Sequence, residues 1–120
     1  VGVEPFNAPT LTQALEHGPH TTVEVSGLAA NALGAKQAGR ICYDLARATG
    51  TNCVNVEDEA IADAQKRLWT ALRLVVEPAG AAALAALLSG AYCPQKDERL
   101  AVLLCGANPA ASPFGPAKLQ

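Results

Sequence analysis

The sequence predicts an α/β chain built on parallel strands, and two observations carry that reading. Three short apolar runs, residues 1–3, 52–56 and 100–104, are continuous rather than alternating, as expected of strands covered on both faces. Between them lie segments with apolar residues at three- and four-residue spacings, so strands and helices take turns along the chain. Three strands are few for a doubly wound sheet. The expected architecture is therefore an incomplete parallel-sheet layer with flanking helices. The 120 residues include no Met, and the chain reads as processed or as a piece of something longer.

Val1-Gly2-Val3 runs into Glu4-Pro5, as a buried strand does on leaving a sheet. Pro5 and Pro9 bracket a loop, and Thr10 is placed to cap a short helix ending near Gly18. Residues 21–32 read as an extended approach and a loop through Ser26-Gly27. Ala38, Ile41, Cys42, Leu45 and Ala46 then mark one face of a helix over residues 34–47, stopped by Gly50. After the strand at 52–56, Glu57, Asp58 and Glu59 put negative charge where a helix N-terminus favours it. Ile61, Ala64, Leu68, Leu72 and Val75 trace the buried face of that long helix. Pro78 interrupts it and suits the first turn of another. This next helix, residues 79–88, is apolar nearly all round and should be buried. A polar turn at 93–98 leads to the third strand, and the tail beyond Pro109 reads as irregular.

Nine Lys and Arg against eleven Asp and Glu leave a formal charge of −2, which is no electrostatic footprint for nucleic acid. The Ala/Leu-rich stretch at 79–91 is broken by Gly80, Ser89 and Gly90. It falls short of the roughly 20 apolar residues that a bilayer core requires. No membrane partner and a cytoplasmic location are expected. Cys42, Cys53, Cys93 and Cys105 are scattered without a CxxC pair, which argues against a disulfide framework or a zinc site. No GxGxxG, no GxxxxGK[ST] and no serine-hydrolase elbow occurs, so the usual phosphate cradles and nucleophile turn are missing.

In open parallel sheets, ligands bind at the carboxyl ends of strands. Glu4, Glu57 and Cys105-Gly106-Ala107-Asn108 occupy those positions. The last is the richest: glycine admits close approach, a thiol can hydrogen-bond, and Asn carries an amide. The alternative is a tight turn holding an inert cysteine. Glu77, beside Pro78-Ala79-Gly80-Ala81, is a carboxylate in apolar surroundings, either a proton handler or a surface acid at a helix end. His17 and His20 sit in a Gly/Pro turn with no partner pattern and read as solvated. Trp69 reads as core or interface.

Four motifs occur in order: Val3-Glu4-Pro5, Ser26-Gly27-Leu28-Ala29, Val76-Glu77-Pro78-Ala79-Gly80-Ala81-Ala82 and Val102-Leu103-Leu104-Cys105-Gly106-Ala107-Asn108. Together they resemble the C-terminal half of threonine/serine dehydratases and serine racemase, the fold type II enzymes dependent on pyridoxal phosphate. The resemblance implies that residues 1–112 form the C-terminal part of a three-layer large domain, with 113–120 as an irregular tail. It also implies β-elimination of a hydroxy amino acid to a 2-oxo acid and ammonia, with racemisation as the related alternative. Cys105 stands where the family places a Ser or Cys facing the pyridine nitrogen, and Gly106 shapes the turn beside it. Ala107 replaces the family's second Gly. Glu77 resembles the acid near the coenzyme ring, and Gly27 belongs to a turn on the substrate side, where Ser26 replaces a common Asp.

Glu4 matches a carboxylate that helps hold a divalent cation in some relatives, with the Ala8 carbonyl as a second oxygen. Thr10 stands where a further acid is expected, which weakens such a site. The family's lysine lies in a Ser-x-Lys-x-Arg-Gly type motif, and Lys36, Lys66, Lys96 and Lys118 all lie outside such a context. The Gly-rich loop that binds the coenzyme phosphate is missing as well. The chain alone should neither hold the coenzyme tightly nor turn over substrate. Relatives of this kind are commonly homodimers. The rival reading is a non-catalytic α/β module that docks through its open sheet edge.

Overall fold

A computed structural model of the protein describes residues 1–106. Ala107, Asn108 and the expected irregular tail lie outside the described residues. The elements run β1 (Gly2–Pro5), α1 (Thr10–His17), α2 (Arg40–Thr49), β2 (Cys53–Val56), α3 (Asp58–Leu72) and α4 (Pro78–Leu88). β1 and β2 pair in parallel with Gly2 opposite Cys53 and Pro5 opposite Val56. Two strands form the sheet, where the sequence suggests about three. Residues 100–104 make no ladder, because no neighbouring strand among the described residues offers them one.

Alternation along the two strands sorts their side chains onto opposite faces. Val3, Val54 and Val56 join the apolar core with Ile61, Ala64 and Leu68 of α3 and the alanines of α4. The helix expected to be buried is buried on one face only: Gly80, Ala81, Ala82, Ala85 and Ala86 are buried, whereas Leu88 is 42% exposed. These small residues let α3 and α4 approach closely. Pro78 opens α4, as expected from its fixed φ and missing N–H. α3 ends earlier than its apolar periodicity suggests, with Arg73 in the left-handed region and its guanidinium 5.4 Å from the Trp69 ring centroid. Leu72, the last residue of α3, is exposed although the apolar spacing places it on the buried face.

Gly2, Glu4, Cys53 and Asn55 occupy the opposite face of the sheet, toward α1. The Glu4 carboxylate accepts from the backbone N–H groups of Leu11 and Thr12 at 2.7 and 2.8 Å, and from the Thr12 hydroxyl at 2.8 Å. A strand residue thus caps the first turn of α1, where unpaired N–H groups and the helix dipole favour an anion. Thr10, expected as the cap, instead donates its hydroxyl to the Ala35 carbonyl at 2.6 Å. α2 begins later than expected and ends at Gly50. Of its predicted apolar face only Ala46 is buried, while Ile41 is 83% and Leu45 61% exposed.

Close contact also fixes where residues 104–106 lie. A Cβ on Gly80 would collide with the Cys105 carbonyl oxygen and with Val76 Cγ1. Gly80→Ala should therefore destabilise the chain by about 1 to 2 kcal/mol. The usual helical gain of about 1 kcal/mol is outweighed by overpacking against backbone that cannot yield. Urea unfolding of the full chain measures this, and an unchanged or higher midpoint would refute it. Glu4→Ala should cost about 2 kcal/mol by loss of a charged acceptor on two helix N–H groups, with Glu4→Gln intermediate. The same titration, read with α1 amide exchange, checks both variants.

Candidate cofactor-contacting site

α4 builds the site from its N-terminal end. Glu77 is its N-cap residue, and its carbonyl accepts the Ala81 N–H at 3.2 Å. The Glu77 N–H in turn donates to the Gly106 carbonyl at 3.1 Å. Gly106 has φ +74°, a left-handed conformation that side chains other than glycine adopt at a cost of roughly 1 kcal/mol or more. Here there is a second reason for glycine, since a Cβ would run into the Glu77 carboxyl group. Cys105 and Gly106 are thus clamped to the first turn of α4, with Gly80 admitting the backbone and Gly106 admitting the acid. Glu77 is half-buried and Cys105 is exposed. The thiol residue is open to solvent at the end of its segment, and it is not sealed among aliphatic neighbours.

A second set of contacts holds Gly27. The Leu28 N–H donates to Asp58 Oδ2 at 2.7 Å, and the Ser26 N–H donates to the Asn7 carbonyl at 2.9 Å. Gly27 has φ +88°, and a Cβ there would strike Asp58 Oδ2. The loop after β1, the turn at 26–28 and the start of α3 are tied through this one aspartate. Asp58 Oδ1 is buried without a hydrogen-bond partner. Sequence reasoning places Asp58 as a charge at a helix start and misses this tie. The only available signal is a glycine within a turn of unexplained tightness.

The remaining candidates fall elsewhere. Both oxygens of Glu4 serve α1, and Ala8 is 2% exposed. A cation at that pair would have to displace helix N–H groups, and no cluster of three His, Cys, Asp or Glu side chains forms among the described residues. His17 and His20 are exposed, with His17 Nε2 3.6 Å from Glu16. Glu57 is exposed at the end of β2. Cys53 lies at the opposite, amino end of β2, and burial together with the Glu4 carboxylate pushes its thiol above the ordinary range. That raises the cost of forming a thiolate, so Cys53 is a poor nucleophile. No described helix is long and apolar enough to cross a membrane.

The donor set at Cys105 suits a pyridine ring nitrogen. It offers a sulfur hydrogen-bonding group on an exposed turn, beside the Glu77 carboxylate that occupies the space a Cβ on Gly106 would take. Residues 1–106 match the family model described as pyridoxal-phosphate dependent enzyme. Phenylserine dehydratase of Ralstonia pickettii is 33% identical over 114 residues, which cover 95% of this chain and 35% of that protein. L-threonine ammonia-lyase of Thermotoga maritima is 30% identical, covering 90% and 26%. The crystal structure of a T.th. threonine deaminase aligns with a TM-score of 0.80 at 35% identity, over 93% of this chain and 40% of that one. Maize serine racemase aligns at 0.64 and 31% identity, over 71% and 26%. The chain spans about a third or less of the length of these curated relatives. With four ordered motifs, a shared fold and a match over nearly all its described length, the chain belongs to the pyridoxal-phosphate dependent enzyme family.

Proposed function

We propose that this chain forms the ring-nitrogen side of a pyridoxal-phosphate site in a dehydratase acting on small hydroxy amino acids. The covalent anchor and the phosphate loop come from family residues that the chain does not contain. The observation that carries the reading is the placement of Cys105, exposed and clamped with Gly106 on the first turn of α4 beside Glu77. When bound, the coenzyme supplies an electron sink for cleavage at the α-carbon of an amino acid.

Each residue has a distinct task. The Cys105 thiol would stand as a hydrogen-bonding partner to the ring nitrogen, where it would offer a weaker interaction than a carboxylate. A moderate sink favours loss of a β-hydroxyl over reactions that need long-lived carbanion character. An aspartate at the same place would favour a fully protonated ring and the competing chemistry. Glu77, held by its own N–H to Gly106, limits how far that turn can drift from the helix. Gly27, pinned by Asp58, presents a turn without a side chain on the substrate side. Precise placement matters, because errors of about 1 Å cost roughly a hundredfold in rate.

Two outcomes test this reading. The isolated chain mixed with pyridoxal phosphate should form no stoichiometric, single-site borohydride-reducible adduct beyond the scattered imines that exposed amines give, since its lysines lie outside an anchoring motif. A stoichiometric coloured adduct would contradict the proposed division of labour. When the chain is joined to the lysine- and phosphate-bearing part of a family relative, 2-oxo acid should form from threonine or serine. Cys105→Asp should then lower kcat about tenfold, near 1.4 kcal/mol of barrier, and raise the share of side products. Unchanged rate and unchanged partitioning would remove Cys105 from the ring. Racemised substrate in place of 2-oxo acid would move the proposal to a racemase.

A further inference from the structure

We propose that Asp58 is a positioning residue: it fixes the peptide plane between Gly27 and Leu28, and through that plane sets how tightly the site holds its substrate. The substrate-side assignment of this turn rests on the dehydratase reading; the hydrogen bond that fixes it does not. Between α1 and α2 the chain runs from Gly18 to Gly39 without a helix or strand, a length that in ordered loops usually goes with function. The neck of this loop is well closed. The Val23 N–H donates to the Lys36 carbonyl at 2.9 Å, and Gln37 Nε2 donates to the Thr22 hydroxyl at 2.6 Å. Lys36 Nζ lies 3.2 Å from Glu24, and the Thr10 hydroxyl holds Ala35.

The tip has fewer supports. On one side the Ser26 N–H donates to the Asn7 carbonyl, and on the other Ala29 is fully buried. Gly27 stands between them at φ +88°. Glycine reaches that angle freely and leaves it as freely, so a neighbour must hold it. Asp58 is the one side chain, among the described residues, that hydrogen-bonds residues 26–30. Its Oδ2 takes the Leu28 N–H at 2.7 Å, and a trans peptide then turns the Gly27 carbonyl the opposite way. That carbonyl accepts the Ala30 N–H at 3.3 Å, a long bond that leaves a lone pair open to a ligand. Without Asp58 the 27–28 plane is free to rotate while the neck and Ala29 stay in place. The other oxygen, Oδ1, is buried and accepts nothing, an unfavourable state for a polar atom. The Asn7 amide reaches only to 3.5 Å of Oδ2. The carboxyl group is thus committed to one strong bond, and an amide in its place keeps the acceptor.

The experiment compares Asp58→Ala with Asp58→Asn. In the full 120-residue chain, Asp58→Ala should speed amide exchange at Leu28 by about tenfold and leave the Glu77 and Ala81 amides unchanged. Asp58→Asn should stay within about threefold of the original chain, since it keeps an acceptor for the Leu28 N–H. Both variants are then read in the chain joined to the lysine- and phosphate-bearing part of a family relative. Asp58→Ala should raise KM for threonine or serine about tenfold, with kcat and the coenzyme absorbance within about twofold, and Asp58→Asn should restore KM. A merely structural role would reduce the folded fraction and leave KM alone. Asp58→Ser, which suits a helix start but falls short of Leu28, gives the same readings should the alanine variant not fold. Unchanged exchange at Leu28, a fall in kcat at constant KM, or an Asp58→Asn variant as impaired as Asp58→Ala would overturn the proposal. No 2-oxo acid from the unsubstituted joined protein would overturn the dehydratase reading instead, and exchange at Leu28 would still decide whether Asp58 holds the plane.

Discussion

The seating of residues 105 and 106 on the first turn of α4 is the constraint on which the rest of the site depends. It is a steric and hydrogen-bonding constraint, not an electrostatic one. Gly80 lacks a Cβ where the Cys105 carbonyl arrives, Gly106 lacks one where the Glu77 carboxyl arrives, and the Glu77 N–H joins the Gly106 carbonyl at 3.1 Å. Packed protein does not deform continuously, so either glycine enlarged by one methyl would push the thiol off its position. The contact also links core to site. α4 is anchored through Ala81, Ala82, Ala85 and Ala86 to α3 and to the sheet, and the position of the thiol is inherited from that anchoring.

The same logic explains the part of the chain that looks unsatisfied. Its core is made of small side chains, and the largest fully buried ones are Ile61, Val56 and Pro5. Ile41, Leu45 and Leu103 meanwhile remain more than half exposed. The radius of gyration, 15.3 Å, exceeds the about 13 to 14 Å of a compact domain of this length. A sequence that puts its large apolar residues on open faces and its alanines in the centre has one face of its core fulfilled and others facing outward. The largely exposed α2 stripe follows from that imbalance.

Legibility in the sequence follows the range of the interaction involved. α1, β2, α3 and α4 are readable because periodicity, a Pro at a first helical turn and Gly stops act within a few residues. Residues 100–104 read as a sheet member and are not one. Their apolar run is real, but ladder formation requires a neighbour that the run cannot specify. Leu104 still packs against the core, so the hydrophobic signal is correct about burial and silent about pairing. Among site residues, Cys105, Gly106 and Glu77 stand out through the family motifs, and composition alone leaves Cys105 open between a site and an inert turn. Asp58 escapes notice because its partners, Asn7 and Leu28, lie 51 and 30 residues away. Glu4 reads by analogy as a cation ligand, whereas the fold gives its oxygens to α1.

A division of labour between parts of one site has a physical rationale in this arrangement. Covalent attachment and phosphate binding need flexible or charged groups that can reach and hold a ligand. A ring-nitrogen contact needs the reverse: a short, neutral side chain on backbone that cannot move. Cysteine has a single χ angle, so once residues 105 and 106 are clamped only a few rotamers remain to its sulfur. On the proposed reading, the backbone of this contact is set before any ligand arrives, which lowers the ordering cost of binding. Residues 100–105 make no backbone hydrogen bond among the described residues, so the thiol's position rests on the seat at α4 and on Leu104 packed against the core.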